Sequence, residues 1–435
     1  MAEPSAIQVT TTEEGPVRRT LQVEVPPEQV SRAFEHVFRD LSQHARVKGF
    51  RPGKVPRSVV QKLYGGTVTE EVERLLVSQS LEEAVDRSGV HPVVEPTIDA
   101  PPPVPGQPFS YRVGLEVKPE FALGELRGLP GRKPKLEVGD DDVARELEAL
   151  RQRHAALVEE PEDVVAARGH VLTIDFTGRV DGEPFEGGSA RGHELELGEG
   201  RLVPGFEEQL EGARAGSDVT VRVTFPEDYG NRALAGREAA FDVHVMSIRR
   251  RELPALDDEF AKDLGEFESL AALRERIQAD LASGAERRAR AALERSVLDA
   301  LIERTPFEVG PGLVDRQLRN RLSGAHRQLE ASVPHEALHE QLARWQEEWR
   351  PQAEREVRET LLLEAVAREC GLEVDDAELD ARLAAIAGRQ GADPGQVRRA
   401  YEERGLLAGL RGQLVEEKAL AWLCTEAKVE EVPEG

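Results

Sequence analysis

The hydrophobic pattern of this chain changes period along its length, and no single fold type accommodates every part of it. Up to about residue 117, alternating runs (Val17, Arg19, Leu21, Val23, Val25 and Phe109, Tyr111, Val113, Leu115, Val117) flank apolar residues at helical spacing. From Gly169 to about Arg249, short strand-like runs at Val171–Phe176, Val219–Phe225 and Ala240–Val245 are separated by glycine-rich turns. From about Leu253 onward strands vanish and the pattern is helical. A chain of 435 residues is long enough for two or three separate cores. The reading is a multidomain α+β fold with segments 1–117, 118–150 (an extended arm ending in a helix that starts near Asp140), 151–250 and 251–435.

In the first segment Val30, Ala33, Phe34, Val37, Leu41 and Ala45 predict one helix. Pro56 suits the first position of a second, which carries Val59, Val60 and Leu63 and stops at Gly65; a further helix lies near 68 to 87. Between the first two, Gly49-Phe50-Arg51-Pro52-Gly53-Lys54-Val55-Pro56 cannot continue a helix. Arg46, Lys48, Arg51, Lys54, Arg57 and Lys62 give this stretch a local charge of +6, with no acidic residue, against −25 for the whole chain. A basic tip on an acidic body offers charge-assisted contacts to phosphate, and Phe50 a ring to insert or stack. A solvated turn with an incidental charge excess is the bland alternative.

The middle segment predicts a curved antiparallel sheet, with a short helix over Pro204–Leu210 and a concave apolar pocket. In the last segment, Leu270, Leu273, Ile277, Leu281, Leu293, Val297, Leu298, Leu301 and Ile302 mark a long helix closed by Pro306 and Gly310-Pro311-Gly312. Val314, Leu318 and Leu322 begin a second. A third runs through Trp345, Trp349, Val357, Leu361, Leu362 and Val366 with a kink at Pro351. Shorter helices follow around Leu379 to Ile386 and Leu410 to Leu423. No heptad is sustained, so an open helical body is expected rather than a coiled-coil rod.

The net charge argues against nucleic-acid binding over a broad face but does not forbid one local basic contact. The N-terminus has no basic region followed by an apolar core, and no run approaches the length of a bilayer span, so a cytoplasmic protein that does not enter membranes is expected. Cys370 and Cys424 lack metal-type spacing and are expected to be buried as small apolar residues.

The run from Gly49 to Pro56, followed by Val59, Val60 and Tyr64-Gly65, resembles the ribosome-docking signature of the trigger factor family of bacterial chaperones. The resemblance implies docking at the large ribosomal subunit near the exit tunnel, on ribosomal protein and rRNA, through Phe50, Arg51 and Lys54 with Lys48 and Arg46. Pro52 stands where that family often has another charge, which puts the strength of docking in question. A second resemblance, to FKBP-type prolyl isomerases, is carried by Asp175-Phe176-Thr177-Gly178, Asp181-Gly182, Phe185-Glu186, Leu197-Gly198, Leu202-Val203-Pro204-Gly205-Phe206-Glu207, Pro226-Glu227-Asp228-Tyr229-Gly230 and Phe241-Asp242-Val243. It implies a pocket lined by Phe176, Phe185, Glu186, Leu202, Val203, Tyr229 and Phe241, with Phe206 at its floor. Phe206 replaces the usual Trp and Glu186 the usual Asp, swaps that look like those of trigger factors.

Together the resemblances imply an N-terminal α+β ribosome-docking domain, an FKBP-like antiparallel half-barrel and an all-α C-terminal chaperone domain. The partners implied are nascent and unfolded polypeptides, with a homodimer off the ribosome left open. No cofactor is expected: Gly198-Glu199-Gly200 lacks the lysine and spacing of a nucleotide-binding loop, so holding is ATP-independent. A free prolyl isomerase with helical dimerisation arms is the alternative. His335-Glu336-Ala337-Leu338-His339 also satisfies the H-E-x-x-H zinc-protease motif. It follows Pro334 at a helix start, where Glu336 serves as a first-turn acid, so a solvated helix start without metal is expected.

Overall fold

The computed structural model describes residues 7–44, 57–231, 233–265, 267–330 and 332–433. The chain divides into two compact units, one formed by Met1–Lys135 with Arg290–Gly435 and the other by Leu136–Ala289.

The first unit opens with β1 (Gln8–Glu13), β2 (Arg18–Val25), α1 (Pro27–His44), α2 (Arg57–Ser88), β3 (Thr97–Asp99) and β4 (Phe109–Glu116). The strands form an antiparallel sheet in the order β1-β2-β4-β3. Leu21 pairs with Val113, Val23 with Tyr111 and Val25 with Phe109, so the two expected apolar faces become one. Val30, Phe34 and Val37 of α1 and Val68, Val72 and Leu76 of α2 pack into the same core. The buried Tyr111 hydroxyl is satisfied by Ser80 at 2.7 Å.

Gly65 does not stop a helix. The backbone leaves helical geometry at Tyr64 (φ −126°, ψ 18°) and α2 continues across that kink, so the two expected helices form one bent run. The Gly65-Gly66 pair beside the kink weakens the helix without ending it.

The chain then passes through β5 (Pro130–Lys135) into the second unit: α3 (Asp140–Arg153), β6 (Ala156–Glu159), β7 (His170–Val180), β8 (Glu183–Glu196), β9 (Asp218–Thr224), β10 (Glu238–Glu252), α4 (Asp258–Asp263) and the first part of α5 (Leu270–Arg304). The sheet is antiparallel in the order β6-β10-β7-β8, with β9 also paired to β10. A register shift between Val245 and Ser247 keeps Val245 and Ile248 buried while Met246 is exposed. The short helix expected over 204–210 is only a 3₁₀ turn, Glu208–Leu210. A separate core joins Val143 and Leu147 of α3 to Phe260 of α4 and to Leu273 and Ile277 of α5.

The rest of the first unit is α6 (Pro311–Leu329), α7 (His335–Glu348), α8 (Arg350–Cys370), α9 (Asp376–Gln390), α10 (Pro394–Glu403), α11 (Leu407–Glu426) and β11 (Lys428–Pro433). Here three expectations are corrected. Gly310-Pro311-Gly312 opens α6, with Gly310 as its N-cap and Pro311 in its first turn, where a missing N–H costs nothing. Pro351 does not kink a helix but lies in the first turn of α8, after α7 has ended at Trp349. Strands do not vanish after Leu253, because β11 pairs in parallel with β5 from Lys428↔Pro130 to Pro433↔Lys135. This ladder packs on α5 through Gly131, where a Cβ would lie 2.6 Å from Leu293 Cδ1. Cys370 and Cys424 are half-buried rather than buried, at the edge of the core around Leu362 and Leu423; burial pushes both thiols up from their ordinary pKa.

A carboxylate ties the sheet to α6. Glu116, at the end of β4, accepts the Gly312 N–H at 3.0 Å and 2.9 Å from its two oxygens, an anion at the N-terminus of α6. Arg316 of α6 returns a hydrogen bond to the Val93 carbonyl at 2.6 Å. Glu116→Gln is therefore expected to destabilise the first unit by about 1 kcal/mol. Urea unfolding followed by circular dichroism checks this; an unchanged midpoint would show that the contact is idle.

Candidate functional site

Alternation along three strands aims Phe176 of β7, Phe185 of β8 and Phe241 of β10 at the inner face of the sheet, and the turn before Glu208 delivers Phe206 to the same place. The rings meet edge to face: Phe206–Phe241 centroids are 5.2 Å apart, Phe176–Phe241 6.0 Å, Phe176–Phe206 6.1 Å and Phe185–Phe241 6.0 Å. This is the arrangement that ring quadrupoles favour. Phe206 and Phe241 are buried, while Phe176, Phe185, Leu202 and Val203 are half-buried against the same core.

Two glycines make this packing possible. Gly178 lies opposite Phe241 in the ladder, and a Cβ there would come within 2.4 Å of the Phe241 ring. At Gly188 a Cβ would meet the Phe185 ring at 2.7 Å.

Glu207 follows Phe206 and is 5% exposed. Its carboxylate accepts four backbone N–H groups: Gly198 at 2.8 Å, Gly200 at 3.0 Å, Arg201 at 2.9 Å and Leu202 at 3.4 Å. Burial alone would raise its pKa, but the four donors outweigh burial and hold it below its ordinary value. Gln209 pins the other side of the turn, donating to the Gly205 and Arg222 carbonyls and accepting the Arg222 N–H at 3.0 Å. The loop bearing Leu202 and Val203 and the turn bearing Phe206 are thus held by hydrogen bonds between the Glu207 and Gln209 side chains and the backbone.

Of the remaining expected residues, Tyr229 is 39% exposed and reaches the cluster through Phe225, with centroids 4.7 Å apart. Glu186 is solvent-exposed beside Phe185. Arg46, Lys48, Phe50, Arg51 and Lys54 lie outside the described residues; α1 ends at His44 and α2 begins at Arg57 on either side of them. Two neighbours went unread as site residues. Phe225 is buried and edge-on to Phe185 at 6.0 Å, and His193 is edge-on to Phe176 at 5.8 Å. Phe225 could have been found as the last apolar residue of the Val219–Phe225 alternation, whereas nothing in the sequence marks His193.

On the other face of the sheet, lined by Asp175, Thr177, Asp218, Thr220, Asp242 and His244, Arg179 pairs with Asp242, His244 Nδ1 is hydrogen-bonded to Asp218 at 2.7 Å, and Asp175 accepts the Gly192 N–H at 2.7 Å. Among the described residues no three His, Cys, Asp or Glu side chains converge to hold a metal ion, so the H-E-x-x-H segment lacks a third ligand.

Residues 162–246 match the family model described as FKBP-type peptidyl-prolyl cis-trans isomerase, which sets the class of the ring-lined domain. Residues 7–150 match the model for bacterial trigger factor protein, and residues 269–425 the model for its C-terminus. The trigger factor of Geobacter sulfurreducens is 37% identical over 417 residues, covering 95% of this chain and 97% of that protein. That of Geobacter sp. strain M21 is 37% identical over 432 residues, 99% of each. That of Halothermothrix orenii is 36% identical over 411 residues, 93% and 95%. The chain belongs to the trigger factor family. It is a ribosome-associated chaperone with a peptidyl-prolyl cis-trans isomerase domain. Among the described residues no helix is long and apolar enough to cross a membrane.

Because the Glu207 pKa is lower folded than unfolded, its contribution to stability is present above its ordinary value near 4.5 and is lost as pH falls through the depressed folded value. Glu207→Gln should destabilise the domain by about 1–3 kcal/mol at neutral pH. The gap to wild type should close on acidification, as read by urea unfolding at a series of pH values. A pH-independent gap would mean that the charge is not what holds the loop.

Proposed function

We propose that the aromatic cluster is the isomerisation site and that the segment around Phe50 is the ribosome contact. The observation that carries the first half is the interlocked set of Phe176, Phe185, Phe206 and Phe241 with a half-buried rim. Turning an X-Pro bond costs amide resonance, a barrier of about 18–20 kcal/mol, and needs no nucleophile. A proline ring seated on Phe206 between Phe176 and Phe241 would take the imide away from water. There the twisted state, which is less dipolar than the planar one, is relatively favoured. Leu202 and Val203 close one side, and the Tyr229 hydroxyl at the rim can donate to the substrate backbone. Glu186, being exposed, would meet only the residues flanking the proline.

The basic stretch at Arg46, Lys48, Phe50, Arg51 and Lys54 fits the large ribosomal subunit near the exit tunnel, with the cations meeting rRNA phosphate and Phe50 entering an apolar notch of a ribosomal protein. In this reading the protein works in the cytoplasm without ATP. Its helices hold nascent and unfolded chains through dispersed apolar contacts on a charged surface.

Phe206→Ala should lower catalysed exchange of a proline-containing peptide by about tenfold or more, equivalent to 1.4 kcal/mol of barrier. Exchange spectroscopy reads this, with ribosome cosedimentation unchanged; full activity in the variant would move the site elsewhere. In a separate measurement, cosedimentation with vacant bacterial ribosomes should be salt-sensitive and lost in Phe50→Ala/Arg51→Ala/Lys54→Ala. Wild-type binding by that triple variant would rule out the tip as the contact.

A further inference from the structure

Of the chain's ten histidines, only His335 and His339 are four residues apart, and they lie together on the first two turns of α7. Both are exposed, and their rings meet tip to tip: Nε2 of one is 3.2 Å from Nε2 of the other, with centroids 4.4 Å apart. Between them Leu338 is fully buried, so the backbone that carries the pair is anchored.

We propose that His335 and His339 form a two-imidazole chelate for a borderline divalent transition metal ion such as Ni²⁺, Cu²⁺ or Zn²⁺, with water completing the shell. Two nitrogens 3.2 Å apart, each about 2.0–2.1 Å from a shared ion, subtend an angle of about 100° at it, between the octahedral and tetrahedral values. In the present contact one Nε2–H donates to the other Nε2, the roles depending on the tautomer, and an ion held by both nitrogens requires both rings to carry their proton on Nδ1. Imidazole suits this class of ion better than Mg²⁺ or Ca²⁺, which prefer oxygen. The chain's charge of −25 favours any cation at its surface.

The site binds and does not hydrolyse. A metalloprotease needs a third protein ligand and a shielded Glu, whereas no third ligand converges among the described residues and Glu336 is exposed. His326 lines the same cleft as His339 but faces Glu330, 3.9 Å away, and the proposed shell excludes it. An ion shared by the first two turns ties the start of α7 together and stabilises it by mass action.

The test is calorimetric titration of the tag-free full chain with NiCl₂, and separately ZnCl₂, in a non-coordinating buffer at neutral pH. The expected result is one saturable equivalent whose affinity falls at least tenfold in His335→Ala and in His339→Ala and is unchanged in His326→Ala. Metal-free thermal unfolding should be the same for all four proteins, since the substituted rings are on the surface. Wild-type affinity in either His335→Ala or His339→Ala, loss in His326→Ala, or no saturable binding by the parent chain would overturn the proposal.

Discussion

A charge enclosed by protein has to be answered by protein, and the aromatic site depends on how Glu207 is answered. Its carboxylate has left water, a cost that is recovered only if its lone pairs find donors. Here the donors are the backbone of residues 198–202, so the loop must wrap the carboxylate in one conformation. That conformation presents Leu202 and Val203 to the cluster, and the same turn sets Phe206 in its floor. A buried ion thereby becomes a positional constraint on apolar groups that could not hold themselves in place.

The rings themselves are packed by omission. Phe241 and Phe185 occupy volume that a side chain at Gly178 or Gly188 would need, so the strands carry backbone where their neighbours carry rings. Such a surface has shape and low polarity but offers no acid, base or nucleophile. That matches a reaction in which no bond is made or broken and only the planarity of one is surrendered. On the other face of the sheet the side chains are polar, with Arg179 beside Asp242 and His244 beside Asp218.

Much of this was legible in the sequence, and the failures share a cause. Phe176, Phe185, Phe206 and Phe241 could be gathered because they fall in motifs that resemble those of FKBP-type isomerases; alternation alone marked only the strands that carry Phe176 and Phe241. Proline and glycine flagged irregular points at Gly65, Gly310-Pro311-Gly312 and Pro351 but not their outcome: the first bends a helix instead of ending it, the second opens a helix instead of closing one, and the third starts a helix instead of kinking one. The outcome at each was decided by packing: Val68 and Leu76 carry α2 past its kink, and Glu116 holds the start of α6. His193 gave no signal because a ring contact across a sheet has no periodicity. The strand β11 was invisible for a stronger reason. Lys428-Val429-Glu430-Glu431-Val432-Pro433 has no clean alternation, and its partner β5 lies far back in the chain and runs parallel to it.

That pairing also sets an order of assembly. Unit Leu136–Ala289 has all its chain by residue 289, whereas the other unit needs a strand that follows every helix. During synthesis from the N-terminus, the isomerase unit can therefore complete its core while the other unit still lacks a strand. The part of this chaperone that acts on proline bonds is thus complete before the part that carries it.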